Sequence, residues 1–332
     1  MKDILRLIML MSLVLMMTAC GQENEEQTVL KLGHALSPGT AASDEVVNMA
    51  AAVEEKTDGR ISFDIYENSQ LGSETEMLQQ MQMGALESSA IMIGSMQTLD
   101  MRMAVEDLPY MWPDIETARS AYEGEFGDYL ADIISEEGMT QIGYFEWGFR
   151  HITNNRGPIS EPEDVENLSI RVAETPLRVD TFEQLNAIPT VMAFSEVYGA
   201  LQQGALGAQE NPLANIVAPR FYEVQDYLSL TGHFYNTVML MVETETWDDI
   251  SPSDQEIILS EVQSASERVK EENDVMEESY IETLEENGMQ VNDDVNKEAF
   301  REALLPIYNK WEEEAFGTEL MDIYREASGW EE

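Results

Sequence analysis

The stretch LSIRVAETP, from Leu168 to Pro176, places an arginine inside an apolar strand pattern. Leu168, Ile170 and Val172 sit two apart, the spacing of a half-buried β-strand, and Arg171 stands between them. Cations are scarce in this chain, with 18 Lys+Arg against 65 Asp+Glu, and between Thr57 and Val269 every basic residue other than histidine is an arginine. Arginine grips a carboxylate with two parallel hydrogen bonds and keeps its charge when buried. Left unpaired in a strand, it would cost several kcal/mol. Two kinds of partner satisfy Arg171: an acid of the chain, such as Glu174 three residues on, or the carboxylate of a ligand.

Other chemistry is missing. His34, His151 and His233 are far apart, and with a single cysteine they offer no metal-ligand spacing. No nucleophile elbow, phosphate loop or dinucleotide fingerprint is present. Acidic pairs such as Asp293-Asp294 read as solvated surface in a chain this acidic. No cofactor or metal is expected, and nothing points to catalysis. The formal charge of −47 repels nucleic acid and anionic headgroups, and it suits strong salt, where screening acts within about 3 Å at 1 M.

The elements that must position Arg171 alternate along the chain. Thr28–Leu36 reads as a strand, and Val46, Val47, Ala50 and Val53 then fall at helical spacing ahead of Gly59. Ile61, Phe63 and Ile65 alternate as a second strand. A helix from about Ser73 leads to the apolar strand Ser89–Gly94. Strand–helix–strand order implies parallel pairing and an α/β sheet. Ser73–Ser88 has an echo in Ser195–Glu210: both begin Ser-Glu, carry Leu-Gln-Gln and close on Gly-Ala-Leu. The echo suggests two lobes of related design. Ser251-Pro252 opens a long helix with apolar positions at Ile258, Val262, Ala265, Val269, Met276, Tyr280 and Leu284, ended by Gly288. At 1.5 Å per residue it spans roughly 54 Å, long enough to run along both lobes.

At the N-terminus, Lys2 and Arg6 precede an apolar run from Leu7 to Met17, too short to cross a bilayer and fitting a signal peptide. Met17-Thr18-Ala19-Cys20 resembles a lipobox, so Cys20 is expected to carry lipid after cleavage, the alternative being an ordinary secretory signal. Gly21–Gln27 reads as a polar tether.

Three runs bring a family into view: RHITNNRGPISEPEDVENLSIRV, AIPTVMAFSEVYGALQQGALGAQENPLANI and FYEVQDYLSLTGHFYN. They resemble the DctP-type substrate-binding proteins of TRAP (tripartite ATP-independent periplasmic) transporters. HALSPGTAASD, KTDGRISFDIYENSQLGSETEMLQQMQMGAL and EDLPYMW match the first lobe of that family, so the likeness covers nearly all the mature chain. It implies an α/β, two-lobed periplasmic-binding-protein-like fold with hinge strands and a long helix spanning both lobes. The expected division is 1–19 signal peptide, 20–27 lipidated tether, 28–147 with about 237–276 as the first lobe, and 148–236 with about 277–332 as the second.

The resemblance also implies function: capture of a small organic carboxylate between closing lobes outside the cytoplasm, at a lipid-anchored position on the membrane, and delivery to TRAP permease subunits. A sensory binding protein that presents its ligand to a membrane receptor is the alternative. The family's signature arginine falls on Arg171, a second arginine contact on Arg150, and the asparagine of Gln-Glu-Asn-Pro on Asn211. The matching motifs add His34, His233 and Phe234 to the candidate site. Glu174 is read as binding a ligand hydroxyl or amine, or as orienting Arg171. Trp147 and Phe149 flank Arg150 as a stacking wall or as core. Sialate-binding members carry an acid and a base where this chain has Met92 and Ser95, which disfavours sialic acid. An oxo, hydroxy, aromatic or C4-dicarboxylic acid is expected, in a pocket from which the acidic chain keeps its own carboxylates.

Overall fold

The computed structural model describes residues 27–330; the signal run, Cys20 and most of the tether lie outside that range. Ten strands form one connected sheet: β1 (Thr28–His34), β2 (Ile61–Tyr66), β3 (Ser88–Met92), β4 (Met139–Asn154), β5 (Ser169–Val172), β6 (Ile188–Val191), β7 (Ala208–Pro212), β8 (Tyr227–Ser229), β9 (Tyr235–Glu243) and β10 (Gln290–Asn292). Their order is β2-β1-β3-β9-β4-β7-β5-β6, with β8 pairing β4 and β10 pairing β8.

The two ends of this sheet repeat one design. In the first, β2, β1 and β3 run parallel and β3 meets β9 antiparallel. In the second, β6, β5 and β7 run parallel and β7 meets β4 antiparallel. The echo between Ser73–Ser88 and Ser195–Glu210 is this repeat. Helices Glu74–Gln82 and Phe194–Gln202 both hand over through a left-handed glycine, Gly84 at φ 66° and Gly204 at φ 68°. In each, the next alanine donates to a carbonyl one turn back, Ala85 to Gln80 and Ala205 to Ala200. A residue with a side chain would be strained at either glycine.

β4 is the strand the two halves share. Met139–Phe149 pairs with β9, and Arg150–Asn154 crosses over to pair with β7. The register with β9 slips at Gln141/Gly143 and at Glu146/Gly148, and such bulges bend a strand. Gly143 lies under the long helix Pro252–Glu286: a Cβ there would come within 2.3 Å of Val262 Cγ1. The helix begins as the sequence implies, with Ser251 capping and Pro252 in the first turn. Ile258, Val262, Ala265 and Val269 pack with Leu30, Leu32 and Phe145, whereas Leu284 joins a separate cluster with Val197, Leu201 and Phe221. One helix thus enters the cores of both halves.

The C-terminus departs from expectation. Lys297–Trp311 packs on Pro176–Gln184 of the second half. Gly317–Ser328, assigned from sequence to the second lobe, instead packs on Ile115–Tyr122 and Glu125–Glu136 of the first. Its apolar face (Leu320, Met321, Tyr324) meets Trp112 and Phe126 there. That pairing lies some 200 residues apart and leaves no mark on local periodicity.

Gly143→Ala is expected to cost about 1–3 kcal/mol, because a stiff β-branched valine cannot move aside without shifting the helix. Urea unfolding of the variant measures this, and an unchanged midpoint would show that the contact yields.

Candidate ligand-binding site

Arg171 emerges from β5 where both faces of the sheet are covered, and it is 4% exposed. Its Nε and Nη2 both donate to the carbonyl oxygen of Met192, at 2.9 and 2.6 Å. The guanidinium lies 6.0 Å from the Phe194 ring centroid. Among the described residues Arg171 forms no ion pair, with Glu174 or any other acid. Burial pulls its pKa down to about 10, with Arg150 and Arg178 adding to the effect against Glu210 and Glu74.

A cavity of about 40 Å³ adjoins Arg171, room for a few waters. Its first-lobe wall is Ala35, Ser69, Ser73, Glu74, Thr75 and Ser95, and its second-lobe wall is Arg171, Ala173, Glu174 and Met192–Phe194. The expectation of a pocket free of the chain's own carboxylates is corrected here, since Glu74 and Glu174 both line it. Glu74 begins the helix capped by Ser73, where the helix dipole favours negative charge. It accepts from Ser95 Oγ at 2.6 Å and from the Met92 N–H at 2.9 Å. Burial raises its pKa, with these bonds, Arg178 and Arg171 opposing.

Beside the cavity lies a buried charge network. Arg150 donates to Glu210 through Nε at 2.5 Å and through Nη2 at 3.1 Å, and to Asn211 Oδ1 at 3.0 Å. Its Nη1 is buried without a partner. Arg178, at the start of Pro176–Gln184, reaches from the second half to Asp107 in the first with a two-pronged bond of 2.7 and 3.0 Å. It also meets Asn236 at 2.6 Å, Glu210 at 3.3 Å and Met92 Sδ at 3.3 Å. Burial opposes the charge on Glu210, but Arg150 and Arg178 outweigh it and hold the carboxyl below the usual range. Glu106, next to Asp107, accepts from Gly94, Tyr122, Asn236 and Thr237, yet burial and Asp107 push it up to about 7.

The structure thus sorts the residues singled out in the sequence. Arg171, Glu174 and Ser95 line the cavity, and Met92 touches it through Glu74 and Arg178. Arg150 and Asn211 form the network, with His233 at 3.4 Å from Glu210 and the Phe234 ring 5.1 Å below Arg178. His34 is fully buried one residue before Ala35, with both ring nitrogens unpartnered. Trp147 does flank Arg150, whose guanidinium lies 5.8 Å from its ring centroid, and with Phe149 it also lines a separate cavity of about 60 Å³ against Asn273, Asp274 and Glu277 of the long helix. Sequence reasoning passed over Glu74, Asp107, Arg178 and Glu210. Glu210 lies in a strand, AQENP, that the structure buries throughout, so its three consecutive polar residues each need a partner there.

Two measurable consequences follow from these environments. Asp107→Ala is expected to cost about 3 kcal/mol in urea unfolding, because it removes the two-pronged partner of a fully buried arginine and leaves it the longer Glu210 contact and Asn236. Burial holds His34 neutral down to about pH 4 and His151 to about 3. The unfolded chain protonates both near 6.5, so it binds more protons than the folded chain between pH 6.5 and 4, and stability falls as pH drops through that window. Glu106, raised to about 7, tilts stability the other way between pH 4.5 and 7. In His34→Leu the loss between pH 6.5 and 4 should shrink by about 3 kcal/mol relative to wild type; an unchanged slope would contradict the burial effect.

Comparison with known proteins places this architecture. The model of DctP, the bacterial extracellular solute-binding protein family 7, matches residues 32–314. The sialic acid-binding periplasmic protein SiaP of Vibrio cholerae is 32% identical over 286 residues, 86% of this chain and 88% of that protein. The C4-dicarboxylate-binding protein DctB of Bacillus subtilis is 26% identical over 300 residues, 90% of this chain and 85% of that protein. A TRAP periplasmic solute-binding protein from Polaromonas sp. JS666, solved with D-erythronate, superposes with a TM-score of 0.85 at 31% identity, covering 90% of this chain and 98% of that one. One from Sulfurospirillum deleyianum, solved with succinate, superposes with a TM-score of 0.84 at 26% identity, covering 90% and 99%. Two α/β halves joined by a shared strand, closing on a buried arginine that no acid neutralises, go with this match across nearly the whole chain: it belongs to the DctP family of extracellular solute-binding proteins.

Proposed function

We propose that this chain captures a small organic carboxylate between its two lobes and delivers it to the membrane subunits of a TRAP-type transporter. The observation that carries the reading is Arg171, a buried cation on the cavity wall that forms no ion pair among the described residues and donates to the Met192 carbonyl. A charge buried this way is stabilised when an anion arrives, and a fork held in place loses little entropy on binding. The relatives support the class, since D-erythronate, succinate, sialic acid and C4-dicarboxylates are all carboxylates.

The cavity lies between walls supplied by the two halves, so entry is assigned to a parting of the lobes. The bend is assigned to β4 near Gly148, with β9 and the long helix beside it. The lobes are then 28–147 with about 237–276 and the helix Gly317–Ser328, against 148–236 with the rest of the C-terminal segment. Arg150 and Asn211 are assigned to the ligand side of the crossover, the unpartnered Nη1 of Arg150 being the group left to reach a guest. Cys20 is assigned as the lipid attachment point of the mature chain.

Arg171→Ala is expected to fold at least as stably as wild type, since it removes an uncompensated charge, and to lose roughly a hundredfold in affinity for the carboxylate. Arg171→Lys should also bind poorly, a point charge being no substitute for the fork. Calorimetry and urea unfolding on the same preparations test both halves. Unchanged affinity in Arg171→Ala would sink the reading. For the anchor, Cys20→Ser should move the protein from the membrane to the soluble fraction, and mass spectrometry showing an unmodified Cys20 in the mature native protein would refute it.

A further inference from the structure

Building on the parting of the lobes assigned above, we infer that Glu146 is the pin of the hinge, a positioning residue that fixes where three of the chain's passages between the lobes can bend. The chain passes four times: along β4, into β9, along the long helix, and through the segment Glu312–Phe316 that leads to Gly317–Ser328. The first three meet at one carboxylate. Glu146 lies on β4 and is buried. It accepts from Arg119 Nε at 2.6 Å and Nη2 at 3.0 Å, from the Tyr235 hydroxyl at 3.0 Å and from Asn273 Nδ2 at 3.1 Å. These bonds take up the roughly four acceptor positions of a carboxylate. Tyr235 is the first residue of β9, and Asn273 belongs to the long helix. Arg119 comes from Ile115–Tyr122 of the first lobe and holds the long helix directly as well, through Asp274 at 2.6 and 3.2 Å and the Lys270 carbonyl at 3.4 Å.

Each of the three passages loosens just beyond this cluster, on the second-lobe side. In β4 the register with β9 slips between Glu146 and Gly148, and Gly148 has φ 94°. Ahead of β9, Gly232 turns the chain at φ 56° shortly before Tyr235. In the long helix, packing on the first-lobe cluster ends at Val269 and packing on the second-lobe cluster begins at Tyr280. Val275, between them and next to Asp274, is 75% exposed. A buried polar cluster with its bonds satisfied is stiff, and a hinge is the few residues beside such a body that absorb the backbone change. Neither Glu146 nor Arg119 lines the cavity beside Arg171, so the cluster acts on geometry alone. With the pin in place the lobes close along one path and bring the two cavity walls back into one register. Without it the bend spreads into β4 and the helix, and the lobes sample many orientations.

Pulsed electron spin resonance on spin-labelled cysteines tests this without any added ligand. The labels go into Cys20→Ser protein, which removes the chain's single native cysteine. Glu54→Cys with Gln203→Cys reads the distance across the lobes, and Glu54→Cys with Glu125→Cys reads a distance inside the first lobe; all three positions are exposed. With Glu146 intact, the interlobe distribution is expected to be wider than the first-lobe one, because the lobes part. Glu146→Gln, which keeps the shape and removes the charge, is expected to at least double the interlobe width and to leave the first-lobe width unchanged. Tyr235→Phe, which removes one bond of the four and stands in if Glu146→Gln does not fold, is expected to widen the interlobe distribution to a smaller degree. An interlobe width unmoved in the variant that folds overturns the inference and leaves the parting of the lobes standing. A first-lobe width that grows along with the interlobe one also overturns it, since Glu146 then holds the first lobe together instead of fixing the bend. If the interlobe distribution with Glu146 intact is as narrow as the first-lobe one, the parting of the lobes itself falls, and the pin with it.

Discussion

A guanidinium held out of water with no acid to neutralise it is an expensive arrangement, and most of the site exists to keep Arg171 in it. In a chain with 65 acids, an arginine would ordinarily find one. Here its fork is turned onto the Met192 carbonyl, a dipole that fixes direction without cancelling charge. The nearby acids that could have collapsed onto it are engaged elsewhere. Glu210 is clamped by Arg150 and Arg178, and Glu74 is tied to Ser95 and Met92. The neighbouring ion pairs therefore matter for what they withhold as much as for what they bind.

The Arg178–Asp107 bond joins the two halves at a point that is fully buried. A buried pair is seldom a large net gain in stability, because desolvation offsets the attraction. What it supplies is geometry: both partners must be present and aligned, so the halves meet in one register. Asn236, at the start of β9, takes part in the same cluster, which ties the alignment to the strands at the crossover.

Much of this was legible in the sequence because it is periodic. The strands around Ile61 and Ile170, the caps at Ser73 and Ser251, and the helix carrying Ile258 to Leu284 all announce themselves by spacing. The echo of Leu-Gln-Gln and Gly-Ala-Leu gave away the repeat because both copies need the same left-handed glycine. Arg171 stood out as a charge in an apolar strand. Glu74 did not, since a glutamate in the first turn of a helix is ordinary and its inward direction depends on Ser95 and Met92, about twenty residues away. Arg178 and Asp107 are likewise a pair 71 residues apart, and Trp147 gave no sign of which side of β4 its ring would take.

The position of β9 has a consequence for how the chain can come together. Tyr235–Glu243 is inserted between β3 and β4, strands made roughly 90 to 150 residues earlier, and the helix that covers this sheet follows later still. Until that strand exists, the first half has β1, β2 and β3 on one side, β4 on the other, and a gap at its centre. Pairings this distant in sequence form slowly. The first half therefore has no finished sheet until the chain's C-terminal third is made, whereas β4, β7, β5 and β6 of the second half can pair before β9 exists.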